Sequence, residues 1–316
     1  RAAEFRVPDF EAPLIETEDF RDEAGRNIWD EYSPPHFGFK PKPGAAKDGR
    51  PIDTWHWNSE TFCLAAATRY ASYVHNRIDN PDPVHSKWSA YGSIYFTDSD
   101  ADGRQQGSYV LRVSGKVDGM RLPKSLFHVS RVMQNEQPDI HIIGHWNYPA
   151  NTKKTMYVAA THCERVELFV NGKSIGVATE PFQFFDSDPS RPPATQPAMG
   201  DTGFIYAFPD VAFAPGAIKA VATKGGKVVA QQEIQTAGEP KAIKLTLRTG
   251  PQGLQADGSD VALIDFEVVD AQGLRCPADE ARVDFAVTGP VIWRGGLNAA
   301  KLNTTNNLYL DTECGI

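Results

Sequence analysis

The 316-residue chain is longer than one ordinary domain, since single cores stop growing at roughly 250 residues, and two or three domains are expected. Its composition, 41% hydrophobic and 23% charged, is that of a soluble globular protein, and no apolar run approaches the roughly 20 residues of a membrane helix. The net charge of -8 opposes a phosphate backbone, and no Lys/Arg stripe offsets it, so neither nucleic acid nor a membrane is an expected partner.

The chain opens on Arg1-Ala2-Ala3-Glu4-Phe5, with no initiator Met and no signal peptide, and reads as the interior of a longer polypeptide. Ala12-Pro13-Leu14-Ile15 is a short buried-strand candidate ending in Glu16-Thr17-Glu18-Asp19. A long loop from Trp29 to Trp57 follows. It is dense in aromatic and polar groups: Trp29, Asp30, Tyr32, His36, Trp55, His56, Trp57 and the adjoining Asn58. Asn58-Ser59-Glu60 then opens a helix whose residues Phe62, Ala66, Tyr70, Val74 and Ile78 share one face, and Pro81 and Pro83 stop it. A second strand is predicted over Tyr91–Phe96, running into Thr97-Asp98-Ser99-Asp100. Leu122, Leu126, Val129 and Met133 predict a further amphipathic helix beginning near Pro123, which suits a first helical turn. Strand, loop, helix, repeated, builds parallel α/β sheets, in which functional groups collect at the C-terminal ends of strands. Both strands end in carboxylates.

After about residue 140 the pattern is strand and turn, and this change of period predicts a domain boundary. Val166 to Gly176 alternates around Asn171-Gly172, the type I′ hairpin signal. A second hairpin turns at Gly225-Gly226, and the Pro-rich stretch Asp186–Thr202 reads as a surface loop. Pro240 opens a last segment, with strands at Ala242–Leu247 and Val261–Val269 separated by the turn Ala256–Asp260. Two successive β-sandwiches are expected. Cys63, Cys163, Cys276 and Cys314 lack zinc-ligand spacing and read as small buried hydrophobes, with a Cys276–Cys314 pair as the alternative. The compartment is left open by so few cysteines, with periplasmic or secreted favoured over cytoplasmic.

This order resembles the C-terminal part of glycoside hydrolase family 2, which includes β-galactosidases, β-glucuronidases and β-mannosidases. Pro13-Leu14-Ile15-Glu16-Thr17-Glu18 is similar to the family's seventh barrel strand, and Gly92-Ser93-Ile94-Tyr95-Phe96-Thr97-Asp98 to its eighth. Arg112–Lys116, Pro123-Lys124-Ser125 and His145-Trp146 resemble the barrel exit in the branch that appends immunoglobulin-like domains, and Val166–Gly176 resembles a hairpin of such a domain. The resemblance implies the end of a (β/α)8 TIM barrel over 1–136, an immunoglobulin-like sandwich over 137–237 and a second, truncated one over 238–316. It also implies a retaining exo-β-glycosidase with Glu18 as nucleophile, Glu16 being the rival because Asp19 stands where members carry an aromatic. The acid/base Glu of the family's Asn-Glu pair belongs upstream of residue 1. The chain's one Asn-Glu, Asn135-Glu136, follows the last barrel helix and does not correspond to it. The Asn-x-Lys of the family's β-glucuronidases is absent from Ser114-Gly115-Lys116-Val117-Asp118, which favours a neutral sugar, galactose first.

Retaining glycosidases need two carboxyls about 5 to 5.5 Å apart, one of which attacks the anomeric carbon. Glu18 at a strand end fits that role, and the alternative is a solvated acidic cluster with Glu16, Asp19, Asp22 and Glu23. The aromatic loop and Asp98 are candidate sugar contacts, or else the aromatics pack the loop on the barrel. Asp98, Asp100 and Asp102 with Gly103 match the first half of a calcium loop, but position 12 is Tyr109 and an EF-hand is excluded. No cofactor is expected beyond a calcium or sodium ion at those aspartates. The expected partners are an oligo- or polysaccharide and the N-terminal remainder of the same enzyme. A non-catalytic carbohydrate-binding or spacer module is the competing reading.

Overall fold

The computed structural model describes residues 14–19, 71, 88–93, 96–97, 99–100, 111–112, 115–185, 198–279, 281–297, 306–312 and 314–316. Strand β1 (Leu14–Asp19) pairs in parallel with β2 (Trp88–Ser93), Glu16 lying opposite Tyr91 and Asp19 opposite Ser93. The second strand therefore begins three residues before the predicted Tyr91, because the ladder with Leu14 and Ile15 runs back to Trp88 and Ala90. Short strands β3 (Ser99–Asp100) and β4 (Leu111–Arg112) pair antiparallel. Ala71, within the helix predicted after Asn58, is helical and fully buried.

Helix α1 (Ser125–Gln134) starts two residues later than Pro123. Pro123 is instead held outside the helix in a bridge with Val117, and Lys124 is the extended N-cap, its N–H donating to the Lys116 carbonyl. Leu126, Val129 and Val132, at helical spacing, bury one face of α1 against Ile143, Ala159, Phe204 and Ile205. Several hydrogen bonds tie down its C-terminal end. Arg131 grips Asp139 with two hydrogen bonds of 2.8 and 3.1 Å, and His162 Nε2 meets the Asn135 carbonyl at 2.9 Å.

The surface under α1 is a three-stranded sheet, β5 (Ile140–Ile143), β6 (Lys153–Ala160) and β11 (Ile205–Ala212), with β6 in the middle. Every residue of β5 is buried, because α1 covers one face of the sheet and a second sheet covers the other. That second sheet runs β13 (Lys227–Gln235), β12 (Ala217–Lys224), β7 (Arg165–Val170), β8 (Lys173–Ala178). Ile142, Met156 and Val158 from the first sheet meet Val166, Leu168, Ile218 and Ala220 from the second in one core, closed at one end by the fully buried Trp146. Period-2 alternation places these residues inward, as in the burial of Ile218, Ala220 and Ala222 on β12.

Both predicted hairpins form. Asn171 and Gly172 have φ of 50° and 77°, the left-handed pair that a type I′ turn requires. The Asn171 side chain accepts from the Ala217 N–H at 2.8 Å and donates to the Pro215 carbonyl at 3.0 Å. The stretch read as a loop from Asp186 to Thr202 ends in a strand: β10 (Ala198–Asp201) pairs with β9 (Gln183–Phe185). The buried Thr202 hydroxyl then bonds the Phe182 and Ile205 carbonyls. The Phe182 N–H donates to the Ile205 carbonyl at 2.6 Å, and further along β11 the register breaks between Phe208 and Val211, where Asp210 has φ of 54°.

Beyond β13, Asn147 exchanges two hydrogen bonds with the backbone of Ala237, 2.8 Å from its amide to the carbonyl and 3.0 Å from the Ala237 N–H to its Oδ1. Ala237 is buried with Val268 and Cys276, so the connecting segment is part of the next core. Strands β14 (Ala242–Arg248) and β15 (Leu263–Val269) pair antiparallel, as do β16 (Arg282–Asp284) and β17 (Tyr309–Asp311). Phe266 packs with Val283, Leu310 and Phe285. Asp270 organises the turn after β15 by accepting from the Gly238, Gln272 and Leu274 amides. Cys163, Cys276 and Cys314 are reduced thiols, so Cys276 and Cys314 are not paired, and Cys63 lies outside the described residues.

Candidate active site

The parallel β1–β2 pair is the element that positions the first candidate. Glu18 is the penultimate residue of β1, at the C-terminal end of the strand, and Glu16 lies two residues before it. A parallel pair brings both C-terminal ends to the same side, so the Glu16–Asp19 stretch and the Tyr91–Ser93 stretch lie side by side. Among the other sequence-derived candidates, Asp100 lies in β3. Trp29, Asp30, Tyr32, His36, Trp55, His56, Trp57, Asn58, Asp98 and Asp102 lie outside the described residues.

Past β2 the backbone is tightly organised. The Val117 N–H donates to the Phe96 carbonyl at 3.0 Å, and Thr97 bridges Val117 in parallel. Asp118, buried at the apex, accepts from the Met120 and Leu122 amides at 2.9 and 2.8 Å through one oxygen. This Asx-type turn drives Arg121 to φ of 70° and returns the chain through Pro123 to the start of α1. Arg248, at the end of β14, donates to the Met120 carbonyl at 2.9 Å and to Asp265 at 2.7 Å, bracing the turn from the C-terminal sheet. Sequence reasoning missed this brace, because 128 residues separate its partners.

Among the described residues, no group of three or more His, Cys, Asp or Glu side chains is placed to hold a metal ion, and no helix is long and apolar enough to cross a membrane. A groove of about 610 Å³ lies between β8 and β11, lined by Ile175, Val177, Phe208 and Asp210 among others. Another of about 420 Å³ lies by Asn147, Phe213 and Ala278. Neither is lined by a candidate from the sequence.

Residues 152–230 match a family described as a domain of unknown function (DUF4982), and residues 245–309 match glycoside hydrolase family 2 C-terminal domain 5. The chain is 42% identical, over 99% of its length, to a protein named beta-glucuronidase from Formosa agariphila, of which it spans 28%. It is 33% identical, over 55% of its length, to a beta-galactosidase from Bacteroides ovatus, of which the match covers 18%. Among solved structures, a beta-glucuronidase from glycoside hydrolase family 2 superposes with a TM-score of 0.74 at 39% identity, covering 96% of this chain and 28% of that one. The chain thus spans under a third of the length of these relatives.

Proposed function

Because the chain belongs to glycoside hydrolase family 2 as a C-terminal region of it, we propose that it supplies part of the active site of an exo-acting retaining β-glycosidase, with Glu18 as the nucleophile. The observation that carries this reading is the parallel β1–β2 pair, with Glu18 at the C-terminal end of β1. That is the end at which barrel enzymes gather their catalytic groups. A carboxylate on a strand end is aimed by the backbone rather than by a mobile loop, as in-line attack on an anomeric carbon requires. The general acid then comes from the portion of the enzyme outside these 316 residues, placed about 5 to 5.5 Å from the nucleophile.

In this reading residues 1–136 complete a (β/α)8 barrel, and 137–237 and 238–316 belong to two immunoglobulin-like sandwiches. The aromatic loop between Trp29 and Trp57, together with Asn58 and Asp98, lines the sugar site. The reaction needs no cofactor, and an ion at Asp98, Asp100 and Asp102 is structural where it is bound. A glycan substrate suits a periplasmic or secreted enzyme.

The sugar we favour is a β-linked glucuronide, on the strength of the likeness at 42% and 39% identity to proteins named beta-glucuronidase. A β-galactoside is the rival, favoured by the missing Asn-x-Lys at 114–118 and by the 33% likeness to a beta-galactosidase. Turnover of aryl β-glycosides by the full-length enzyme, with Glu18→Ala and Glu16→Ala beside the unaltered protein, tests both points. Loss of turnover in folded Glu18→Ala with survival in Glu16→Ala is expected. Wild-type kcat in Glu18→Ala removes the assignment, and the preferred aryl glycoside decides the sugar.

A further inference from the structure

Where α1 meets the sandwich, the apolar contact gives way at one edge to two imidazoles lying flat on each other. His128 of α1 and His141 of β5 stack with ring centroids 4.3 Å apart and planes 23° from parallel, and Phe127 packs edge-on against His128. His141 is buried, and the Nδ1 of His128 is enclosed without a hydrogen-bond partner. On the far side of His141, Gln232 of β13 makes two contacts with β5. Its Oε1 accepts from the Ile142 N–H at 2.5 Å, and its amide nitrogen lies 3.4 Å from His141 Nδ1.

That arrangement fixes the tautomer. The Ile142 amide orients Gln232 so that its NH2 group points at His141 Nδ1, which must then be an acceptor, with the ring proton on Nε2. A second proton on this ring would set donor against donor, and relieving that by turning the Gln232 amide would strand the Ile142 N–H.

Among the described residues, the charges acting on His128 are two cations and one carboxylate. α1 contributes Arg131, and the segment after β15 contributes Arg275, both cations acting on His128. The one carboxylate acting there, Asp139 at the entry to β5, has both oxygens taken by Arg131. β13 presents the neutral Gln232, and β6 presents Ala159 opposite His141 in the ladder.

We propose that His128, His141 and Gln232 form an acid-sensitive clasp, which holds α1 on the β5–β6–β11 sheet while both rings are neutral and releases it when they take up protons. Burial and the two arginines push His128 down to about 4, and burial together with His128 and Arg131 lowers His141 well below its ordinary range. Protons therefore bind the released state first. Between 6.5 and about 4 the opening equilibrium should rise as pH falls, by roughly 30-fold at pH 5 from His128 alone.

Hydrogen exchange on the full-length chain, corrected for intrinsic rates and compared at pH 7.5, 6 and 5, reads this directly. Peptides spanning 125–134 and 140–143 should lose protection by at least tenfold between pH 7.5 and 5, ahead of the 165–178 hairpin. His128→Phe, which keeps the stacked ring and cannot titrate, should remove the share of that loss that comes from His128 and leave the share from His141. An identical acid response in His128→Phe overturns the proposal. Imidazole NMR titration of the unaltered chain gives a second reading that needs no variant: both rings titrating near 6.5 would overturn it too, whereas one near 4 and one lower still support it.

Discussion

Replacing Asn147 by alanine should uncouple the C-terminal strands from the seven-stranded sandwich. Its side chain satisfies both backbone groups of Ala237. Ala237 is only 6% exposed and packs with Val268 and Cys276, so water cannot replace either bond without opening that small core. A buried polar group left unmade costs about 1–3 kcal/mol. Two of them, partly relaxed, give roughly 2–4 kcal/mol. Asn147→Asp keeps the acceptor for the Ala237 N–H but sets a carboxylate oxygen against the Ala237 carbonyl, acceptor to acceptor, and should cost at least as much as the alanine. Urea unfolding followed by Trp293 fluorescence, for the C-terminal strands, and by Trp146 fluorescence, for the sandwich, separates the two. Each is measured in a chain whose other tryptophans are phenylalanine. The Trp293 transition should move to lower urea in Asn147→Ala while the Trp146 transition moves less. A shift below about 0.5 kcal/mol in the Trp293 transition, the level of an ordinary surface substitution, would show that the linker is not held by this pair.

Leu168→Ala empties a fully buried position between the two sheets and should cost about 2–5 kcal/mol, read as a lower midpoint of the sandwich transition. Asn171→Ala removes two hydrogen bonds and leaves a non-glycine residue at φ of 50°, so a loss of about 1–3 kcal/mol is expected. Asn171→Gly should lose less, and equal losses would argue against backbone strain. The amides of Gly238, Leu274 and Gln272 hold the Asp270 carboxyl below its ordinary value. Its contribution is therefore present above about pH 4 and is lost as pH falls through the lowered value. Asp270→Asn should abolish that acid-side loss for the C-terminal strands, and an unchanged acid limb would refute the assignment.

What could be read from the residues depended on whether local pattern or distant pairing decides each feature. The Val166–Gly176 hairpin was legible because period-2 alternation and Asn-Gly point to the same turn. The start of β2 was not, since Trp88-Ser89-Ala90 carries no stronger strand signal than Ile94-Tyr95-Phe96 and only the ladder with β1 selects it. Pro123 suits a first helical turn as a residue, but its bridge to Val117 places it before the cap. β10 hid in a Pro-rich stretch because its partner β9 supplies the order. Of the candidate site, the strand end bearing Glu18 followed from a short aliphatic run, whereas its chemical role came from resemblance to a family. The His128–His141 stack joins a helix face to a strand 13 residues on, and no spacing rule announces it.

The break in β11 between Phe208 and Val211 bears on how these molecules behave when crowded. A flat outer strand invites another polypeptide to add itself by backbone pairing. Phe182 occupies the first part of this rim, and the kink at Pro209-Asp210, with a proline that has no N–H to offer, spoils the rest. At the margin of the other sheet, β8 exposes Ile175 and Val177 and carries a single charged guard, Lys173. Of these two edges, β8 rather than β11 should therefore take part in self-association at high concentration, and a second lysine at Val177 should reduce it.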